Sequence, residues 1–367
     1  MSQHIVIVGG GVIGACSAYF LSRHKNVKVT LIEKTDIACG ASGKSGGFLA
    51  LDWSDSQPGM KELSRASYQL HQTLAEELNG AETYGYRAMN TYSIVFDPSL
   101  QDTNKKKKKS TPSEVSWIHQ SHVRSFERMG SPDTTAQVTP YLFTNTVLEA
   151  AKKTGRVEVQ TGTGVKQVSV DSADKPSIVL ENGQTITADK VVIAMGPWSG
   201  QINLDIPVNG SHVHSIILKP DMTISNDAIF TAILDQGKTA EPEVYPRPDG
   251  TVYLCGAADN EPLPESAALV PIDAKAIDRL VHQATLVSPH LTEVELVKEQ
   301  ACYLPISEST GMPLIGPHPQ HPQVFLATGH SCWGILNAPI TGKIVSEWLV
   351  DGQVSCLDSK VMHHFAP

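Results

Sequence analysis

The glycine-rich stretch HIVIVGGGVIGACSAYFL, residues 4–21, limits what this chain can fold into more than any other segment. Residues 5–8 form the apolar, β-branched run that is typical of a buried parallel strand, and from Val12 onward apolar residues recur at helical spacing. Gly9, Gly11 and Gly14 therefore lie at a strand-to-helix turn. There they permit, in order, a tight turn, the approach of a pyrophosphate and close packing of the helix on the sheet. The sequence predicts a dinucleotide site.

An acidic residue follows at the distance that this motif requires. A second predicted strand, residues 27–32, ends just before Glu33, which lies about 20 residues beyond the turn. Its carboxylate can accept hydrogen bonds from ribose hydroxyls and would repel a 2′-phosphate. The pattern does not distinguish FAD from a nicotinamide dinucleotide, and a glycine-rich turn in an unrelated α/β protein is the alternative.

Charge and cysteine content narrow the class of protein. A net charge of −9 over 367 residues argues against nucleic acid as the main partner, because phosphate contacts need a basic surface. The six cysteines form no C-x-x-C pair and lack the His/Cys spacing of a zinc site, so we expect reduced thiols and no metal. No apolar run reaches the length of a transmembrane segment, and the first strand leaves no room for a signal peptide. A cytoplasmic protein is expected.

One low-complexity segment, residues 97–113, contains five consecutive lysines from Lys105 to Lys109. Adjacent like charges repel one another and do not pack, so the segment is predicted to be a flexible, solvated loop. The alternative is a contact with an acidic partner or with anionic lipid, which would give peripheral association with an endomembrane.

Two further strand-and-glycine elements follow along the chain. Residues 189–200 predict a buried strand and a turn at Gly196, and residues 324–327 predict a strand that ends at Gly329 and leads into an apolar helix after Pro339. Between the glycine elements the sequence predicts a helix at 146–153, two strands joined by a turn at 181–183, and strand-like segments around an Asp-Gly turn within 243–256. A nicotinamide enzyme has no evident need for the third glycine element, whereas a flavoenzyme needs one to hold the isoalloxazine.

The motifs together resemble a known family. GGGVIG, LIEK, ASGKSGG, AMGPWS, MPLIG and ATGHSCWGILNAPITG are similar to those of the D-amino-acid oxidase family of FAD-dependent oxidoreductases, in the branch with glycine oxidase, sarcosine oxidase and fungal oxidoreductases of this type. The resemblance implies an α/β fold: an FAD-binding Rossmann-like domain of the GR2 type with an inserted substrate domain of mixed β-sheet. The expected FAD domain comprises residues 1–90, 145–205 and 296–367, and the expected substrate domain comprises 91–144 and 206–295.

The resemblance also implies a set of cofactor contacts. His330 is matched as a residue of the flavin cradle rather than as a base, and Val165 is matched to the position whose backbone meets the adenine. The full predicted FAD set is Gly9, Gly11, Val12, Ile13, Gly14, Glu33, Lys34, Ser42, Gly43, Ser45, Gly46, Gly47, Val165, Gly196, Trp198, Gly329, His330, Gly334 and Ile335. FAD is expected to be non-covalent; Cys302 is the alternative, because it matches the position that carries covalent flavin in sarcosine oxidase.

The substrate side departs from the family pattern. Leu304 and Cys332 occupy the places of the two arginines that bind the substrate carboxylate in glycine oxidase. The expected substrate is therefore a neutral or cationic amine, unless Arg247 or Arg87 binds a carboxylate instead. Trp53 and Trp333 are further substrate-side candidates; the catalytic residues themselves are not predicted.

The leading prediction is an FAD-dependent oxidoreductase that acts on the C–N bond of an amine or amino-acid derivative by hydride transfer to flavin N5. The chain is apolar near Leu254, where sarcosine oxidase has an oxygen-activating lysine, so the electron acceptor need not be dioxygen. The alternative from another class is a flavin-binding protein of the same fold whose catalysis has decayed and which serves as an interaction or trafficking factor. The third glycine element, near the carboxyl end of the chain, argues against an NAD-linked dehydrogenase.

Overall fold

A computed structural model describes residues 2–102, 115–170 and 175–367. The helices are α1 Val12–Leu21, α2 Ala41–Lys44, α3 Met60–Glu77, α4 Gly80–Tyr84, α5 Pro140–Lys152, α6 Ala274–Val287, α7 Gly334–Asp351 and α8 Ser359–Met362. The strands are β1 Gln3–Val8, β2 Val27–Glu33, β3 Phe48–Ala50, β4 Arg87–Ala88, β5 Thr91–Phe96, β6 Val123–Gly130, β7 Thr135–Gln137, β8 Val157–Thr161, β9 Val165–Ser169, β10 Ser177–Leu180, β11 Thr185–Thr187, β12 Lys190–Ile193, β13 Val208–Lys219, β14 Ala228–Asp235, β15 Lys238–Ala240, β16 Glu243–Pro246, β17 Val252–Asp259, β18 Glu295–Ser307, β19 Leu314–Pro317 and β20 Val324–Thr328.

The first sheet has six strands in the order β19-β20-β12-β1-β2-β8. Adjacent strands in this sheet run parallel, except that β19 runs antiparallel to β20. The apolar residues of β1 alternate between its two faces: Ile5 and Ile7 pack in the core with α1 and α7, while Val6 and Val8 pack in a second core with the sheet β11-β10-β9. Helices cover one face and a small sheet covers the other, so β1 is buried on both sides as its sequence predicts.

The second large sheet is mixed and has eight strands, in the order β18-β13-β17-β16-β14-β5-β6 with β15 paired to β14. Helix α6 contributes Ile277 and Leu280 to the apolar core on one face of this sheet. The two large sheets and their covering layers give the mixed α/β fold that the sequence predicts.

Strand β18 belongs to the second sheet by its hydrogen bonding, because it pairs with β13 from Val208↔Ser307 to Lys219↔Glu295. The predicted domain boundary at residue 296 falls at the start of this strand and would assign it to the FAD domain. The division into domains stays a prediction.

Most predicted elements form, but the last helix begins earlier than expected. The hairpin at 181–183 and the strands within 243–256 are confirmed, and the helix predicted at 146–153 is part of α5. Helix α7, however, starts at Gly334 and contains Pro339, whereas the sequence placed its start after that proline. Pro339 has no N–H to donate to the carbonyl of Ile335, and the Nε2 of His71 on α3 donates to that carbonyl instead at 2.9 Å. A neighbouring helix thus satisfies the group that the proline leaves free.

The lysine run Lys105–Lys109 lies outside the described residues, so its predicted loop and contacts stay predictions. Among the helices in the described part of the chain, none has the length and apolar content needed to cross a membrane.

Candidate active site

One cavity of about 640 Å³ lies where the carboxyl ends of β1, β2, β12 and β20 meet the second large sheet. In an open parallel sheet these strand ends share one edge, and ligands bind there. All three glycine turns reach the cavity. The predicted cofactor residues that line it are Gly9, Gly11, Val12, Ile13, Glu33, Lys34, Ser42, Ser45, Gly46, Val165, Gly196, Trp198, Gly329, His330, Gly334 and Ile335.

Close backbone contacts shape the first turn. Gly9 has a φ of +113°, and a Cβ there would lie 2.3 Å from the carbonyl oxygen of Ala194 on the neighbouring chain segment. A Cβ on Gly14 would lie 2.0 Å from the carbonyl oxygen of Gly9, so Gly14 is needed for packing and does not itself line the cavity. Both positions exclude any side chain, as the motif predicts.

Glu33 supports this turn in a way that the motif did not reveal. Its Oε2 accepts a hydrogen bond from the backbone N–H of Gly10 at 2.7 Å, and its Oε1 accepts from the backbone N–H of Thr35 at 2.9 Å. The carboxylate therefore fixes the glycine loop while it also lines the cavity. Its predicted contact with a ribose stays a prediction.

The segment around α2 covers the amino end of α1. The Oγ of Ser42 accepts a hydrogen bond from the backbone N–H of Val12 at 2.9 Å, and a Cβ on Gly11 would lie 3.0 Å from the same oxygen. This end of the helix faces the cavity, where unpaired N–H groups favour an anion.

Three glycines after α2 have different surroundings. A Cβ on Gly46, which lines the cavity, would lie 2.4 Å from the ring of Tyr245, so this glycine lets the loop pack on the second sheet. Gly43 and Gly47 were also predicted to bind the cofactor, but they are not among the lining residues. Added Cβ atoms there would lie 2.1 Å and 2.0 Å from the carbonyl oxygens of Ala38 and Val138, which indicates packing positions.

Hydrogen bonds join the second and third glycine turns. The Oγ1 of Thr328, the last residue of β20, donates to the carbonyl of Gly196 at 3.0 Å and lies 2.8 Å from the Oγ of Ser199. Gly196 has a φ of +55°, and a Cβ there would meet no atom within 4 Å. Trp198, in the same turn, donates its Nε1–H to the carbonyl of Pro264 at 2.7 Å.

His330 is buried and uncharged at neutral pH, because burial lowers its pKa to about 3. Its Nε2 lies 3.0 Å from the Oγ1 of Thr341, and its backbone forms a bridge to Ile306 on β18. Helix α7 begins four residues later at Gly334, which also lines the cavity. A second helix amino end therefore faces the same space as that of α1.

Val165 lies at the far end of the cavity beside a surface ion pair. The Nζ of Lys34 lies 2.7 Å from the Oε1 of Glu181, and the Oε2 of Glu181 accepts from the backbone N–H of Gly164 at 3.3 Å. The cavity therefore has a polar end next to β9 and a more apolar end next to the second sheet.

Strands β16, β17 and β18 form the opposite wall. The predicted candidates Leu304 and Cys332 line the cavity, as does Cys302. Trp53 and Trp333 do not line it: Trp53 packs on the rings of Phe48 and Phe230, and Trp333 packs against the main core. The wall also contains Glu243, Tyr253 and Cys255, which the sequence did not single out.

The two arginines considered as carboxylate ligands do not reach the cavity wall. Arg247 donates its Nη2 to the carbonyl of Ser45 at 3.1 Å and lies over the ring of Tyr253, while its buried Nε has no partner. Arg87 donates to the Oε1 of Gln137 at 3.0 and 3.2 Å. No arginine is found among the described lining residues, and the lysines there are Lys34 and Lys166.

A cluster of His212, His214 and Asp259 has the composition of a metal site. Its ring nitrogens are engaged by protein atoms: those of His212 contact Asp259 at 2.7 Å and the carbonyl of Pro271 at 3.2 Å, and His214 contacts the carbonyl of Ala257 and the backbone N–H of Asp273, both at 3.0 Å. The expectation of no metal stays a prediction.

The described residues fit an FAD molecule. Glycine turns without side chains and two helix amino ends border a cavity whose lining extends from the polar end at β9 to the second sheet. Gly11 lines the cavity at the amino end of α1, and a Cβ there would lie 3.0 Å from the Oγ of Ser42, so the absent side chain leaves the approach to this helix end open.

The family model described as "FAD dependent oxidoreductase" (DAO) matches residues 4–348. The chain belongs to this family. A Schizosaccharomyces pombe protein named only as an oxidoreductase is 33% identical, over 96% of this chain and 96% of its own length. Glycine oxidase of Bacillus subtilis is 24% identical, over 97% of this chain and 95% of its own length. The predicted family and enzyme class are confirmed.

Solved structures show the same fold. Glycine oxidase from Geobacillus kaustophilus superimposes with a TM-score of 0.81 at 21% identity, covering 100% of this chain and 98% of that one. L-proline dehydrogenase from P. horikoshii gives a TM-score of 0.76 at 19% identity, covering 97% and 95%.

Proposed function

We propose that this FAD-dependent oxidoreductase oxidises the C–N bond of an amine that carries no α-carboxylate. One observation supports the proposal above all: three glycine turns and an apolar wall from β16, β17 and β18 share one cavity in which no arginine is found among the described lining residues. When bound, FAD would supply the acceptor for a hydride that leaves the α-carbon of the substrate.

The residues of the chain bind the cofactor and orient the substrate. The first glycine turn, supported by Glu33 and Ser42, holds the adenosine and pyrophosphate part of FAD. The amino ends of α1 and α7 favour negatively charged groups of the cofactor. Leu304 and Tyr253 wall the substrate end and exclude water. His330 orients the third turn and transfers no proton, because burial keeps its pKa far below neutral.

Two finer features belong to the same proposal. FAD binds without a covalent bond, since burial raises the pKa of Cys302 to about 11 and keeps its thiol protonated, and the thiolate is the nucleophilic form. The electron acceptor is a molecule other than dioxygen: Leu254 is completely buried in the sheet core, and the lining residues beside it, Tyr253 and Cys255, bring no cation. A cytoplasmic location is retained as a prediction.

The deciding experiment is an anaerobic screen of the FAD-loaded protein. Amines without a carboxylate should bleach the flavin absorbance, and glycine, sarcosine and D-alanine should do so more slowly. Fastest bleaching by the amino acids would overturn the substrate class. Absence of bleaching by every compound would favour the interaction protein with decayed catalysis.

A further inference from the structure

Glu243 is a carboxylate in the apolar wall of the cavity. It begins strand β16, where it lies opposite Cys255 on one neighbouring strand and Phe230 on the other. Successive side chains of a strand point to opposite faces of the sheet, so Glu243 and Tyr245, two residues apart, share a face. The hydroxyl of Tyr245 donates to the Oε2 of Glu243 at 2.6 Å. The side chain thus has a fixed position.

The second carboxylate oxygen is left for a ligand. The Sγ of Cys255 lies 3.6 Å from the same Oε2, and Oε1 has no hydrogen-bond partner among the described residues. Since Oε1 is not enclosed by protein atoms and Glu243 lines the cavity, this oxygen is accessible from the cavity. A single neutral hydroxyl and a thiol do not neutralise a carboxylate.

No cationic side chain in the described part of the chain forms an ion pair with Glu243. Burial raises the pKa of this carboxyl group, which reflects the cost of an ionised carboxylate that lacks a counter-charge. Such a group gains stability when a cation arrives, because an opposite charge in a dry site interacts far more strongly than in water.

The cationic side chains that line the cavity lie away from Glu243. Glu241 and Glu265 also line the cavity, and the lining cations Lys34 and Lys166 adjoin strands β2 and β9 at the opposite end. Lys34 is already paired with Glu181. Behind the wall, Lys44 donates to the carbonyl of Ala301 and Arg247 lies over the ring of Tyr253. Among the lining residues that β16, β17 and β18 contribute, however, the one charged side chain is the carboxylate of Glu243, which favours a protonated amine over a substrate carboxylate.

We propose that the free Oε1 of Glu243 binds the ammonium group of the substrate and selects cationic amines. The same oxygen accepts one ammonium proton before oxidation, which leaves the nitrogen lone pair that hydride loss from the α-carbon requires. This inference rests on the proposed function and names the residue that determines specificity. In glycine oxidase an arginine of the protein attracts the carboxylate of the substrate; here a carboxylate of the protein would attract the ammonium group of the substrate.

The test compares cations with neutral molecules of nearly the same shape on the FAD-loaded protein. Butylammonium and benzylammonium are titrated against butanol and benzyl alcohol, with binding followed calorimetrically and by the shift of the flavin spectrum. The unaltered protein should bind each ammonium at least tenfold more tightly than the matching alcohol. In Glu243→Gln, which keeps the shape and an oxygen acceptor for Tyr245, this preference should disappear.

Glu299→Gln is the matched control, since it removes one exposed carboxylate from strand β18 of the same sheet and should leave the preference unchanged. Thermal melting of each variant checks that it folds. An ammonium preference that survives in Glu243→Gln would overturn the inference, and so would an unaltered protein that shows none. Binding is measured apart from turnover, so the two proposals can fail separately. If amines bleach the flavin equally in the unaltered protein and in Glu243→Gln, the proposed function stands and the role of Glu243 is overturned. If the ammonium preference depends on Glu243 but no amine bleaches the flavin, the role of Glu243 stands and the proposed function is overturned.

Discussion

The hydroxyl of Thr328 donates a hydrogen bond to the carbonyl of Gly196 at 3.0 Å and joins two glycine turns that lie more than a hundred residues apart in the sequence. The Oγ of Ser199 approaches the same carbonyl at 2.8 Å. These bonds align the carboxyl ends of the adjacent strands β12 and β20 at the cavity edge. The shape of the cofactor site therefore depends on hydroxyl side chains within these motifs as well as on their glycines.

Thr328→Val keeps the side-chain volume and removes this hydroxyl. We expect FAD to bind about 2- to 10-fold more weakly, because a net hydrogen bond contributes about 0.5–1.5 kcal/mol. Equilibrium dialysis against FAD measures the change. Thr73→Val, at an exposed position on α3, is the control and should bind FAD normally. Unchanged affinity in Thr328→Val would mean that the turns hold their position without this bond.

Gly11 offers a graded test of the first turn. A Cβ there would lie 3.0 Å from the Oγ of Ser42, a side chain that can move, so Gly11→Ala should retain part of the FAD. Gly11→Val adds two methyl groups at the place where a pyrophosphate must approach and should retain almost none. The FAD content per chain is read from the absorbance of each purified variant. Full retention by the valine variant would contradict the assignment of the turn.

The local parts of this site were predictable from sequence, and the long-range parts were not. Gly9, Gly11 and Gly14 lie between two recognisable elements, and their spacing alone indicates the turn. The Thr328–Gly196 bond and the bond from Gly10 to Glu33 depend on which strands become neighbours, and periodicity does not reveal that. These partners appear only when the strand order is known.

Glu243 and Pro339 show the same limit. Glu243 begins the short strand β16, and only the placement of that strand against the cavity distinguishes it from a solvated carboxylate. Proline is typical of a helix start, so the sequence placed the start of α7 after Pro339. The helix begins at Gly334 because His71 on α3 bonds to the carbonyl that Pro339 leaves free.

The cofactor should be released when the protein unfolds. Burial raises the pKa of Cys302 to about 11, which leaves almost no thiolate to attack the flavin at neutral pH. After acid or heat precipitation, the yellow colour should therefore be in the supernatant, and Cys302→Ala should contain as much FAD as the unaltered protein. A flavin-bearing peptide around Cys302 in a mass spectrum would establish covalent attachment instead.

His71 should make the fold sensitive to mild acid. Burial lowers its pKa from 6.5 to about 4. Between these two values His71 is protonated in the unfolded chain and neutral in the folded chain. The free energy of unfolding is therefore highest above pH 6.5 and falls as the pH drops towards 4.

His71→Gln keeps an amide donor for the carbonyl of Ile335 and does not titrate. Between pH 7 and pH 5 it should lose about 1–2 kcal/mol less stability than the unaltered protein. Urea unfolding at a series of pH values measures this difference, and His363→Gln at an exposed position should behave like the unaltered protein. Equal acid sensitivity of the two variants would show that His71 does not carry the effect.

Leu304→Arg tests the polarity of the substrate end. Leu304 lies in β18 opposite Ser211 of β13 and lines the cavity, so an arginine there brings a guanidinium into the apolar wall. A charge-assisted hydrogen bond to a carboxylate contributes about 1.5–3 kcal/mol, and the same charge repels an ammonium. We expect the ratio of kcat/KM for sarcosine over butylamine to rise at least tenfold. Leu304→Met, with nearly the same volume and no charge, should leave that ratio within a factor of two. If Leu304→Arg retains FAD and its ratio matches that of Leu304→Met, residue 304 does not face the substrate, and the selection against carboxylates must come from Glu243 and the other acidic residues of the cavity.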